Sequence, residues 1–148
     1  MMYRNYERLF PILEELGVAL VAFSPLANGF LSGKYDANSQ FEAGTDYRGA
    51  MPQFQAEAVT ENQELLAYLH QIAAEKQATP VQIALAWMLC KKPWIIPIPG
   101  TRNPERMQEN ANAADVELSS AEVEKIDAML DKIPMSAVYG GVATRGNA

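Results

Sequence analysis

Two short, unbroken apolar runs constrain this chain most: Val18-Ala19-Leu20-Val21-Ala22-Phe23 and Trp94-Ile95-Ile96-Pro97. Neither alternates with polar residues, so each reads as a strand covered on both faces, the habit of parallel sheets. Helical patterns lie between them. Two buried strands separated by helices imply a parallel pair joined by a crossover, and hence an α/β fold. Two parallel strands cannot close a barrel, so they read as part of a larger sheet.

The helical segments carry their own punctuation. Tyr6 to Leu16 sets Leu9, Phe10, Ile12, Leu13 and Leu16 at helical spacing, and Gly17 supplies a C-cap. Thr60-Glu61-Asn62-Gln63 reads as a capping box before a helix with Leu65, Leu66, Leu69, Ile72 and Ala73 on one face. Thr79-Pro80 places an N-cap and a first-turn proline before Ile83, Leu85, Ala86, Trp87 and Leu89, a deeply buried pattern. Asn103-Pro104 repeats that signal. Ser119-Ser120-Ala121-Glu122 is a second capping box, and Val123, Ile126, Met129, Leu130 and Ile133 follow until Pro134 and a Gly-rich tail end the helix. Ser24 to Gln55 is rich in Gly, Ser, Asp, Asn and Pro, a long loop leaving the C-terminal end of the first strand. Loops of that length in compact domains are usually functional, and α/β folds bind ligands at that end.

Composition removes several function classes. The 148 residues make one domain, with hydrophobic and charged fractions of an ordinary globular protein. A net charge of -6 offers no basic face to nucleic acid. The single cysteine, Cys90, cannot form an internal disulfide or a cysteine metal cluster, and its apolar setting suggests a buried small hydrophobe. Met1 to Glu7 lacks the apolar core of a signal peptide. No apolar run is long enough to span a bilayer. A cytoplasmic, reduced setting without a membrane partner is the expectation.

The chemistry concentrates in Ile96-Pro97-Ile98-Pro99-Gly100-Thr101-Arg102-Asn103-Pro104-Glu105-Arg106-Met107-Gln108-Glu109-Asn110. A buried strand here delivers a glycine turn to a helix N-terminus. Gly100 allows close approach of a ligand to backbone, and the helix start attracts an anion. Arg102 and Arg106 add cations where helices ordinarily disfavour them, which a bound phosphate would explain. Glu109 and Asn110 could read a base edge by hydrogen bonds. From the residues alone, a solvated charged helix start with a tight turn fits equally well. A second string, Phe23-Ser24-Pro25-Leu26-Ala27-Asn28-Gly29-Phe30-Leu31-Ser32-Gly33-Lys34-Tyr35, leaves the end of the first strand; Phe23 taken alone suits core packing.

Together these strings resemble the aldo-keto reductase family, from Tyr3 to Gly141 of this chain and over only the last part of the family's pattern. In that resemblance Gly100, Thr101, Arg102, Arg106, Glu109 and Asn110 hold the adenosine 2′-phosphate and adenine of NADP(H). Phe23 stacks on the nicotinamide, Ser24, Pro25, Leu26, Ala27 and Asn28 run under the pyrophosphate, Lys34 reaches it, and Arg48 clamps the cofactor. The helix Thr79 to Trp87 looks like the family's penultimate helix. The fold implied is a C-terminal part of a (β/α)8 TIM barrel, its last two strands with their helices, from a family domain of roughly 250 residues or more.

The family's catalytic Asp, Tyr, Lys and His lie in earlier strands, and none of those motifs is present here. His70 reads as an exposed or helix-packed residue, and Tyr3, Tyr6, Tyr35, Tyr47, Tyr68 and Tyr139 show no Lys and Asp placed to lower a tyrosine pKa. No catalytic residue and no metal ligand is assigned. The expected function is the NADP(H)-binding part of a carbonyl reductase, inactive alone. Its expected partners are the nicotinamide dinucleotide and either a second copy or a complementing N-terminal part. The alternatives are a non-catalytic nucleotide-binding or interaction module, or a truncation product without function.

Overall fold

A computed structural model describes residues 7–133 of the chain. The expected helix start at Tyr6, the ending at Pro134 with its Gly-rich tail, and Tyr3, Tyr139 and Gly141 lie outside those residues. The order is α1 (Phe10–Leu16), β1 (Leu20–Ala22), α2 (Ala56–Glu61), α3 (Gln63–Glu75), α4 (Pro80–Lys91), β2 (Ile95–Pro97), α5 (Pro104–Ala111) and α6 (Ser120–Lys132). Short 3₁₀ turns at Ala27–Ser32, Tyr47–Ala50, Pro52–Phe54 and Asn112–Asp115 fill the connections. The long loop therefore has local structure of its own.

β1 and β2 pair in parallel, with Leu20 opposite Ile95, Val21 opposite Ile96 and Ala22 opposite Pro97. The ladder extends at one end through Leu20 N to Trp94 O, 3.0 Å, and at the other through Ile98 N to Ala22 O, 3.1 Å. α4 packs on β2 and lies at the centre of the core, with Ile83, Ala84, Leu85, Ala86 and Met88 buried. α3, α5 and the 112–115 turn enclose it from other sides. The expected deep burial of this helix holds up to Met88. It fails at Cys90, which is exposed.

Four caps form as the sequence predicts, among them Asn103 on α5. Gly17 closes α1 in the left-handed conformation at φ 63°. Thr79 and Gln82 form a full capping box on α4. Ser119 and Glu122 form another on α6. The box expected at Thr60 does not form. Helix starts earlier, at Ala56, so Thr60 lies inside α2 and its hydroxyl donates to Ala56 O, 2.8 Å. Buried Asn62 joins α2 to α3 at φ −93°, ψ 1°, and donates its side-chain N–H to Ala58 O, 2.7 Å.

The strands depart from expectation in one further way. Ala22 and Ile95 face the helices and are buried, but Val21 and Ile96 are 56% and 49% exposed. Phe23 and Ile98, just past the strand ends, are exposed as well. Continuous apolar runs predict cover on both faces; among the described residues only the helix side has it. Leu9, just before α1, and Ile12 and Leu16 within it are likewise exposed; Phe10, packed edge-on to Trp94 at 5.0 Å, and half-buried Leu13 dock that helix.

Candidate cofactor site

Parallel pairing puts the C-terminal ends of both strands at the same sheet edge, where parallel α/β folds bind ligands. The Ile98–Ala22 hydrogen bond joins them there. Segments 23–28 and 98–102, to which the family resemblance gives opposite ends of one dinucleotide, thus leave the sheet side by side.

At the first strand end, Ser24, Ala27 and Asn28 have positive φ angles of 48°, 49° and 59°. Left-handed backbone costs ordinary L-residues about 1–2 kcal/mol each, and such strain concentrates at ligand sites. The turn is held by Ala27 N to Ser24 O and Gly29 N to Leu26 O, both 2.9 Å. Phe30 and Leu31 anchor it in the core. Phe23 is exposed on the uncovered side of the sheet. Lys34 is exposed beyond Gly33, which at φ 68° ends the 3₁₀ turn. A Cβ on Gly33 would lie 2.1 Å from the His70 ring. His70 thus packs against the loop from α3, a structural position.

At the second strand end, Asn103 caps α5 by accepting from Arg106 N, 3.1 Å, and Thr101 Oγ1 accepts from Asn103 N, 3.1 Å. With Pro104 lacking an N–H, the helix start has fewer free donors than the sequence suggests. The arginines carry most of its positive character. Both are exposed, and neither makes an ion pair with another described residue. Gly100 has no left-handed φ, and a Cβ there would meet no described atom within 4 Å; the open space would accommodate a ligand. Glu109 and Asn110 are half-buried. Gln82 Nε2 donates to Glu109 O, 3.1 Å, docking α5 on α4.

Arg48 lies differently. Its Nε donates to Asp46 Oδ1 at 2.8 Å and Oδ2 at 3.1 Å, Nη2 donates to Asp46 Oδ2, and Nη1 to the Tyr35 hydroxyl. The Arg48 side-chain hydrogen bond holds the Asp46 carboxyl below its ordinary pKa. Asn28 and Arg48 line one open cavity of about 420 Å³ with Glu42, Thr45, Asp46 and Tyr47. The structure therefore brings these two predicted residues together, but beside two carboxylates. Tyr68 sits under Lys125, whose Nζ is 3.9 Å from the ring centroid. Burial, then the charges of Glu122 and Glu75, push its hydroxyl above the usual tyrosine range, the wrong direction for a proton donor. The left-handed residues Ser24, Ala27 and Asn28 and the Gln82 tether were not legible in sequence, since neither feature has a side-chain pattern that announces it.

Two parallel strands flanked by helices, with both loops at one end, are what part of a (β/α)8 barrel provides, and solved aldo-keto reductases share the fold. The chain matches the Aldo/keto reductase family over residues 1–131 and belongs to that family. It is 39% identical over 115 residues to aldo-keto reductase str7 of Strobilurus tenacellus, covering 78% of this chain and 34% of that one. It is 38% identical over 112 residues to the NADP(+) aldo-keto reductase yakc of Schizosaccharomyces pombe, covering 76% of this chain and 33% of that one. The probable aldo-keto reductase 1 of Glycine max is 34% identical over 140 residues, 91% and 38%. The chain thus spans about a third of the length of these relatives. Among solved structures, the thermostable aldo-keto reductase Tm1743 superposes with TM-score 0.59 at 26% identity, covering 85% of this chain and 35% of that one. The glycerol dehydrogenase AKR11B4 of Gluconobacter oxydans superposes with TM-score 0.73 at 21% identity, 87% and 40%, a likeness of fold.

Proposed function

We propose that this chain holds NADP(H) for carbonyl reduction of the aldo-keto reductase type and turns over no substrate alone. The single observation that carries the reading is the parallel register, which sets the strained Ser24–Asn28 turn beside the turn bearing Arg102 and Arg106. Arg102 and Arg106, with Gly100 and Thr101, take the 2′-phosphate; Glu109 and Asn110 take the adenine. Ser24, Pro25, Leu26, Ala27, Asn28 and Lys34 support the pyrophosphate, and Phe23 stacks on the nicotinamide. The bound cofactor supplies the hydride. The proton donor and the walls of the substrate pocket come from further barrel strands, in the same protein or in a complementing chain. The exposed Val21, Ile96 and Ile98 face is where those strands pack, and the proposed setting is the cytoplasm.

Calorimetry with NADP⁺ and NAD⁺ on the 148-residue chain tests this. Charge-assisted, forked bonds to a 2′-phosphate that NAD⁺ lacks favour NADP⁺ by about tenfold or more. Arg102→Ala and Arg106→Ala each reduce that preference. Equal affinity for both dinucleotides, or none, would contradict the reading.

A further inference from the structure

Arg48 is a cation in the loop assigned to the cofactor, yet its guanidinium is committed within the protein. Asp46 receives a forked set of hydrogen bonds from it, and Tyr35 receives another. Arg48 also lies over the Tyr35 and Phe41 rings, at 5.1 and 5.3 Å from their centroids. Its backbone N–H donates to Asp46 Oδ1 at 3.0 Å, so Asp46 caps the Tyr47–Ala50 turn while pairing with the side chain.

These contacts lead mechanically to the strand end. Tyr35 and Phe41 each pack on Phe54, at 5.3 and 5.1 Å. Phe54 packs edge-on to Phe30 at 5.7 Å, and Phe30 is buried in the turn that carries Asn28. Lys34 immediately precedes Tyr35. The cavity shared by Asn28 and Arg48 is lined also by Glu42 and Asp46, which leaves no surplus positive charge there for a phosphate. We propose that Arg48 is a positioning residue: it latches residues 35–54 through Asp46 and Tyr35, presents Asn28 and Lys34 to the cofactor, and binds no phosphate itself. The proposal rests on the cofactor reading for the purpose of the latch, but not for its existence.

The two roles predict opposite signs for one substitution. If Arg48 bound phosphate, Asp46→Asn would release the guanidinium and tighten NADP⁺ binding. As a latch, Asp46→Asn loosens the loop and weakens binding, in the same direction as Arg48→Ala. The test measures amide hydrogen exchange across residues 35–50 without cofactor, and NADP⁺ affinity by calorimetry. It uses the whole chain and the variants Asp46→Asn, Tyr35→Phe, Arg48→Lys and Arg48→Ala. Expected are exchange faster by about tenfold and weaker binding for Asp46→Asn and Arg48→Ala. Tyr35→Phe, which loses one hydroxyl and no packing, moves both readouts the same way by less. Arg48→Lys restores little, because an ammonium lacks the planar fork. Tighter binding in Asp46→Asn, or unchanged exchange in Arg48→Ala, would overturn the latch. Faster exchange in the variants of a chain that binds no NADP⁺ would support the latch and overturn the cofactor reading.

Discussion

Gln82 shows how one side chain couples structure to site. Its Oε1 accepts from Thr79 N at 2.9 Å, completing the α4 cap, and its Nε2 donates to Glu109 O across to α5. Gln82→Ala removes both bonds and leaves the Thr79 N–H without its partner. The expected cost is about 1–2 kcal/mol in urea unfolding, with NADP⁺ selectivity reduced because α5 loses a tether. A change below about 0.5 kcal/mol, the scale of an ordinary surface substitution, would show that packing alone seats α5. Only Thr79 as the cap was read from sequence; the Gln82 half of the box was not read there, although it stands three residues on. The tether was not legible, because it joins residues 27 apart that meet only when α5 folds back on α4. Cys90 is misread for a related reason: apolar neighbours in sequence do not fix which side of the helix a residue faces, and Cys90 is exposed.

Helix ends divide the legible from the illegible at the scale of elements. Thr79, Asn103 and Ser119 cap as read because each is extended in backbone, with the helix beginning directly after it. Thr60 carries the same signature but sits in a helix already begun, so local chemistry lost to the upstream turn at Ala56. In the α6 box, burial alone would raise the Glu122 pKa. Hydrogen bonds from Ser119 and Lys76 outweigh it and hold the carboxyl below its ordinary 4.5. A carboxyl depressed in the folded state contributes stability that is present above its unfolded pKa and is lost as pH falls through the folded value. The melting temperature of the wild type should therefore fall more steeply below about pH 4.5 than that of Glu122→Gln. Parallel acid profiles would show that the box is insensitive to charge.

On the scale of the whole molecule, the α/β class, both strands, their parallel pairing and the helix-covered core follow from two apolar runs and the periodicity between them. Residues 18–23 predict cover on both faces, and the structure supplies it on one. The discrepancy is physical: strand sequence records the surroundings for which it was selected, and a barrel strand has neighbours that two strands cannot provide. Exposed Val21, Ile96 and Ile98, the exposed stripe of α1, and two strands with an unpaired edge each among the described residues favour association. Light scattering over a concentration series should show mass rising above 16.3 kDa; a constant monomer mass with cooperative unfolding would show that the helices suffice.

The central claim is that two loops on one sheet edge form a single dinucleotide site. Residue-resolved amide shifts during an NADP⁺ titration test it most directly. Residues 23–34 and 100–110 should respond together along one saturation curve, with the exposed face of α6 silent. A response confined to residues 100–110, or two curves with different midpoints, would mean that the loops do not share a ligand.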